Sequence, residues 1–315
     1  MKQGIKIFVI FLILLSVVSC KQKETTDKWD DTIHSGVISI ACDENFKSLM
    51  DKEIQAFEAH FPKAAIFPIY TSETEAIRLL ITDSVRFALT TRDLYPKEKQ
   101  SLDSLQLNPK KQLVAFDGVA LLINTQNKDS LMSIPQLKRI LNGEITEWSQ
   151  IHSHSSLGAI RLLVDSKESG VMRYVIDSIA DKNRLTSQIY SLKNYTEIID
   201  KVCEMPNAIG FVSLNALNSL PEETQQKIRL LRLSTKEPAT LKNSYLPYAG
   251  DLMQENYPFW RPIYVLLSDP KSGLSSGLSV FLGLHVGQMI LMQEGLLPVT
   301  DPQNREVRVI DAYPK

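Results

Sequence analysis

Residues 36–90 read GVISIACDENFKSLMDKEIQAFEAHFPKAAIFPIYTSETEAIRLLITDSVRFALT. Residues 36–41 (GVISIA) are a short strand-type run rich in β-branched side chains. They open into the polar turn Cys42-Asp43-Glu44-Asn45-Phe46. Leu49, Ile54, Phe57 and Phe61 then recur at near-helical spacing until Pro62 stops the pattern. Residues 65–70 (AIFPIY) form the next strand, and 71–75 (TSETE) a second polar turn. Residues 76–81 predict a helix and 85–90 a third strand. The order β-α-β-α-β predicts an α/β fold with a parallel or mixed sheet and helices on its faces.

The alternation continues outward from this stretch. Residues 113–124 predict a longer strand, interrupted by Asp117-Gly118. Ser133-Ile134-Pro135-Gln136 is a capping box with proline in the first turn, opening a helix that Gly143 ends. Residues 160–164 predict a strand, and 170–181 and 195–203 helices, the second capped by Asn194 with Glu197 three residues on. Pro206-Asn207 turns into a strand at 208–212. Residues 213–250 are turn-rich and polar, 263–267 a strand, and 278–292 a single helix with Gly295 and Pro298 beyond its end.

Upstream, Lys2 and Lys6 precede an apolar run at 7–15, too short to cross a bilayer as a helix. A basic start, a short apolar core and small residues after it describe an export signal over 1–19. The run ends Val17-Val18-Ser19-Cys20, which resembles the bacterial lipobox, in which the cysteine is lipidated. Residues 20–33 then predict a lipidated Cys20 and a polar tether.

The 315 residues carry 35 Lys+Arg against 36 Asp+Glu, a formal charge of −1. That balance argues against a nucleic-acid partner. Counted from Cys20 on, the chain holds 33 basic and 36 acidic residues, a charge of −3. Cys42 and Cys203 are too few for a disulfide scaffold, although an exported compartment permits them to pair. No G-x-S-x-G, G-x-x-x-x-G-K-[ST], G-x-G-x-x-G or H-E-x-x-H occurs. His152-x-His154 lies in a polar, unpatterned loop. Cys42 has acidic neighbours that disfavour a thiolate. No catalytic constellation, metal site or cofactor is expected. What does recur is a polar turn between a strand and a helix, at 42–45, 71–75 and 165–170. Helix N-termini present free N–H groups, so such turns converging on one cleft make an anion receptor.

Several ordered segments resemble the periplasmic phosphate-binding proteins of ABC transporters, over roughly residues 36–300. They are 114–120 (VAFDGVA), 137–148 (LKRILNGEITEW), Ser169-Gly170, 208–212 (AIGFV), 257–264 (YPFWRPIY) and 294–298 (EGLLP). The resemblance implies a two-lobed type 2 binding-protein fold with a ligand cleft between lobes and two crossing strands. Lobe one would be 34–116 plus 262–315, and lobe two 117–261. It implies a monomeric, non-enzymatic receptor facing the periplasm or cell surface. The membrane would hold it through the lipid, and an ABC permease and ATPase would receive phosphate or a related oxyanion from it. Carried over residue by residue, the ligand set is Asn45, Phe46, Thr74, Thr91, Arg92, Ser169, Gly170 and Val171. The turns depart from the family pattern by bringing Asp43, Glu44, Glu73, Glu75 and Asp165 to the mouth, near Arg92, Lys167, Glu168 and Arg173. Either these carboxylates point outward or pair with the cations and the site takes an oxyanion, or the fold serves as a sensor or surface module with an altered ligand and no transport role.

Overall fold

The computed structural model describes residues 30–300 except 167–168, 181–184, 187 and 219. Cys20 and the export signal lie outside the described residues, as do Lys167 and Glu168. The opening stretch folds as β1 (Ser35–Asp43), a 3-10 turn (Glu44–Phe46), α1 (Lys47–His60), β2 (Lys63–Thr71), α2 (Glu73–Ile81) and β3 (Phe87–Thr90). Ser72 starts α2 by accepting the Glu75 N–H at 3.3 Å. Next come α3 (Pro96–Ser104), β4 (Lys110–Asn124), β5 (Leu131–Ser133) and α4 (Ile134–Leu141). The capping box at Ser133 and Gln136 forms, and Gly143 at φ +75° ends the helix. Beyond it lie β6 (Arg161–Val164), α5 (Gly170–Ile179), β7 (Ile189–Ser191), α6 (Tyr195–Glu204) and β8 (Ala208–Ser213). The turn-rich part holds a 3-10 turn (Leu214–Leu217), α7 (Glu222–Gln225), β9 (Ile228–Leu230), β10 (Arg232–Ser234) and α8 (Ala249–Met253). β11 (Trp260–Leu267), α9 (Leu274–Gly283), α10 (His285–Gln293) and β12 (Leu297–Pro298) complete the chain.

The main sheet runs β2-β1-β3-β11-β4-β8-β6-β7, with β9 and β12 also on β4. It is mixed. β1 is parallel to β2 and β3, and β6 is parallel to β8 and β7, whereas β11 and β4 run antiparallel to their neighbours. β4 and β11 therefore lie side by side in the middle of the sheet. On one side of them sits a core of Ile40, Phe57, Phe87 and Val265; on the other, a core of Trp148, Phe211 and Phe259. Each such large side chain contributes about 1.5–3 kcal/mol by leaving water. Among the described residues no single helix is long and apolar enough to cross a membrane.

Two expectations need correction, and the open question of the two cysteines is answered. The helix read over 278–292 is two helices, α9 and α10, bent by 65°. Leu284 is extended (ψ 168°) between them, and a side chain at Gly287 would meet the Phe281 carbonyl at 2.5 Å, so the second helix crosses too close for a straight continuation. The expected tether is shorter at its C-terminal end. Asp31 accepts the Leu274 N–H at 2.8 Å, satisfying a free donor in the first turn of α9, and thereby docks residues 30–33 on the body. Cys42 and Cys203 remain free thiols in different parts of the molecule, Cys42 buried in one core and Cys203 beside another.

Candidate functional site

The site grows from the two central strands. In the β4–β11 register Arg261 stands directly opposite Asp117. Both side chains are wholly buried, and Arg261 Nε donates to Asp117 Oδ2 at 2.9 Å. Asp117 Oδ1 accepts from Ser213 Oγ at 3.0 Å and from the Leu214 N–H at 3.1 Å. The Phe46 ring lies 5.6 Å from the guanidinium. Burial pushes the Asp117 carboxyl up, and Arg261 and its hydrogen bonds offset only part of that. Burial would weaken the charge on Arg261, but Asp117, Asp43 and Glu73 outweigh it and hold the guanidinium above its usual range.

The strand-to-helix turns gather round this pair. Asp43 ends β1, and its Oδ1 accepts from the Asn45 N–H at 3.1 Å and Nδ2 at 2.9 Å. Asn45 Nδ2 also reaches Asp165 Oδ2 at 3.2 Å, beyond the end of β6. Burial pushes the Asp43 carboxyl up to about 7, with Arg261 opposing and Glu73 adding to the rise. Glu73, the first residue of α2, turns inward. Its Oε1 accepts from the Thr91 N–H and hydroxyl, both at 2.6 Å, and its Oε2 from Arg173 Nε at 2.6 Å. Burial alone would raise Glu73, but Arg173, Thr91 and Arg261 overcome it and hold the carboxylate below its ordinary range. The Thr91 hydroxyl accepts in turn from Arg173 Nη2 at 3.0 Å and Arg261 Nη1 at 3.3 Å.

Gly170 marks where the turns meet. A Cβ there would lie 2.8 Å from Asp43 Oδ2, 2.9 Å from Arg261 Nη1 and 2.9 Å from Thr91 Oγ1. Only glycine lets the N-terminus of α5 approach this closely. Ser169 caps that helix by accepting the Met172 N–H at 3.0 Å.

Of the residues expected to hold a ligand, Asn45, Thr91, Ser169 and Gly170 come together here, with Phe46 beneath them. Thr74 does not join them. It lies on the exposed side of α2, because one helical step turns it away from the inward-facing Glu73. Val171 packs into the apolar core beside Trp148 and Phe211. Arg92 sits at the edge, committed to Glu98 by two bonds of 2.7 Å and stacked on Tyr95 at 3.9 Å, with Nε 4.0 Å from Glu73. Glu75 points outward to Arg78. Glu44 is half-buried, and burial with Asp165 nearby pushes its carboxyl up.

The residues missed as ligand-site candidates are Arg261 and Asp117. Both carried a signal. Alternate residues of β11 are buried, which places Arg261 on the inward face with Ile263 and Val265. Asp117 is the lone acid of its strand, set between the apolar runs 113–116 and 119–123. Among the described residues, no group of three or more His, Cys, Asp or Glu side chains is placed to hold a metal ion. The arrangement offers hydrogen-bond donors from Thr91, Arg173 and Arg261 at the end of α5, interleaved with the carboxylates of Asp43, Glu73, Asp117 and Asp165.

A model of the PBP superfamily domain matches residues 24–284. The phosphate-binding protein PstS 2 of Streptococcus pneumoniae is 26% identical over 129 residues, 41% of this chain, and the match spans only 42% of that relative's length. The phosphate-binding protein PstS of Borreliella burgdorferi is 20% identical over 303 residues, 93% of this chain and 98% of that protein. Among solved structures, a Clostridium perfringens chain crystallised with bound phosphate superposes with a TM-score of 0.69 at 21% identity, covering 84% of this chain and all of that one. An ABC-type phosphate transport receptor from Vibrio cholerae gives 0.63 at 20% identity, with 84% and 100% covered.

Proposed function

We propose, from the premise that this chain belongs to the PBP superfamily, that it is a non-enzymatic extracytoplasmic receptor for a small oxyanion, phosphate first. In this reading residues 34–116 with 262–315 and residues 117–261 are two lobes that close on the ligand. Cys20 carries a lipid that holds the monomer at a membrane, and an ABC permease and ATPase take the ligand onward. The observation that carries the reading is the convergence at Gly170. The ends of β1 and β3, the start of α2 and the N-terminus of α5 meet around two guanidinium groups, with buried N–H and O–H donors and a helix N-terminus facing one point. The relatives' names point to the same chemistry.

Calorimetric titration of the purified chain with phosphate tests it. The expected result is saturable one-site heat and a melting temperature that climbs with phosphate concentration. Absence of both with phosphate and sulfate at millimolar concentration sinks the proposal. A second reading has its own support. Four buried carboxylates stand in the site, and burying them against an anion is costly unless each is paired or protonated. On that reading the fold serves as a sensor or surface module with another ligand and no transporter. A titration that is silent with phosphate but responds to a cationic or uncharged solute selects it.

A further inference from the structure

Glu73 is bound by its own chain in the way a receptor binds an anion. Both of its oxygens are engaged by short, charge-assisted or hydroxyl bonds of 2.6 Å, from a backbone N–H, a hydroxyl and a guanidinium. We propose that Glu73 is an internal anion of this receptor: its carboxylate occupies the oxyanion donors, ties the two halves of the molecule together without any solute, and must be displaced for an external oxyanion to bind. The inference rests on the oxyanion reading of the site given above.

The span of the contact is the first support. Glu73 and Thr91 belong to the β1–β3 half, whereas Arg173 stands on α5, across the two central strands and 100 residues away. The Asn45–Asp165 bond makes the same crossing 120 residues apart. Charge is the second. Arg261 is paired with Asp117, and Arg92 with Glu98. Of the described cations that touch Glu73 or Thr91, none is left without a carboxylate, so an entering anion competes with Glu73 for the Arg173 guanidinium and the Thr91 donors. Space is the third. Gly170 is pressed against Asp43, Arg261 and Thr91 so closely that a single methyl group would not fit. A tetrahedral anion enters only if the halves move apart, and the Glu73–Arg173 bond opposes that movement. Finally, Asp43 Oδ2 and Asn45 Oδ1 are buried without a hydrogen-bond partner at this same point, whereas Arg261 Nη2 stays 2.9 Å from Asp117 Oδ2. Both are acceptors, so what they suit is a protonated oxyanion, whose own O–H donates to them once Glu73 has withdrawn.

The test compares the purified full chain with Glu73→Ala, and with Glu73→Gln as a variant that keeps the volume. Small-angle scattering without ligand is read first. The expected result is a larger radius of gyration for Glu73→Ala, which phosphate then shrinks, and a compact wild type that phosphate leaves unchanged. Titration with inorganic phosphate is read second. The variant binds at least about tenfold tighter, because the competing closed state has been removed. If wild type and both variants bind phosphate equally and scatter alike, the internal anion is overturned and the oxyanion reading stands. If no chain takes up phosphate, the oxyanion reading falls. The scattering then judges Glu73 alone: opening of the variants supports the tie between the halves, and unchanged compactness overturns it.

Discussion

Two buried glutamates lie on successive helices of the same half, Glu53 on α1 and Glu73 on α2. Their exposures are 0% and 1%. Glu53 has no hydrogen-bond partner on either oxygen, and burial, with Glu294 close by, pushes its carboxyl up to about 9. Glu73 has three donors and is held below its ordinary range. Equal depth thus gives a neutral acid in one place and a fixed negative charge in the other. The partners decide the difference, and they are supplied by elements distant in sequence.

The comparison breaks most severely at Arg261. Replacing it by methionine keeps much of the volume but leaves Asp117 wholly buried without its cation, closer to Glu53 although Ser213 and the Leu214 N–H still donate to it. The expected cost is about 3–5 kcal/mol of stability, read as a lower urea midpoint. Adding Asp117→Asn to the same chain should restore part of that loss. If the single variant unfolds at the wild-type midpoint, the central ion pair contributes nothing.

Arg173→Met does the same to Glu73, less severely. Arg173 is about a fifth exposed, and Thr91 still donates two bonds to the carboxylate. About 2–3 kcal/mol is expected, since a partly buried pair is lost and not a sealed one. The loss should shrink on acidification. Glu73 has a depressed folded value, so its contribution is present above the unfolded value and disappears as pH falls through the folded one. Denaturation curves for variant and wild type that stay equally far apart between pH 7 and pH 3 contradict this account of Glu73.

The sign reverses for Glu53. Its folded value is raised, so the folded state holds the proton that the unfolded chain has already given up. Stability is then lost as pH climbs from the ordinary glutamate range towards about 9. Glu53→Gln removes the ionisation. It should match wild type near pH 5 and exceed it by about 1–2 kcal/mol at pH 8.5, a conservative fraction of the linkage. Equal stability at both pH values would falsify the view of Glu53 as a neutral acid.

These contrasts also show what could be read from the chain before it folded. The β-α-β-α-β order of 36–90 was legible because apolar periodicity, Ser72 and Pro62 are local signals. Gly170 was legible because the match to Ser-Gly fell at the start of a predicted helix. The inward residue of the second turn was not. Thr74 and Glu73 are neighbours, and only packing against Thr91 and Arg173 decides which faces the interior. Arg261 and Asp117 carried local hints, but their pairing needed the register of two strands 144 residues apart. Glu53 falls on the apolar stripe of α1, four residues after Leu49 and four before Phe57, so its burial was legible in the spacing, but the approach of Glu294, distant in sequence, was not.

The smallest effect belongs to Ser169, and it separates scaffold from ligand. Its hydroxyl caps α5 through the Met172 N–H, at the helix start that carries Gly170 into the site. Ser169→Ala should cost about 1 kcal/mol as a lost cap. The hydroxyl is buried beside the site, so it should also weaken phosphate binding, whereas Ser133→Ala, the corresponding cap of α4 away from the site, should cost similar stability and leave affinity alone. The pair of variants controls for helix stability, so affinity lost only with Ser169 assigns its hydroxyl to the ligand. Equal affinity in both restricts Ser169 to holding the helix, and leaves the donors on Thr91, Arg173 and Arg261 to account for binding.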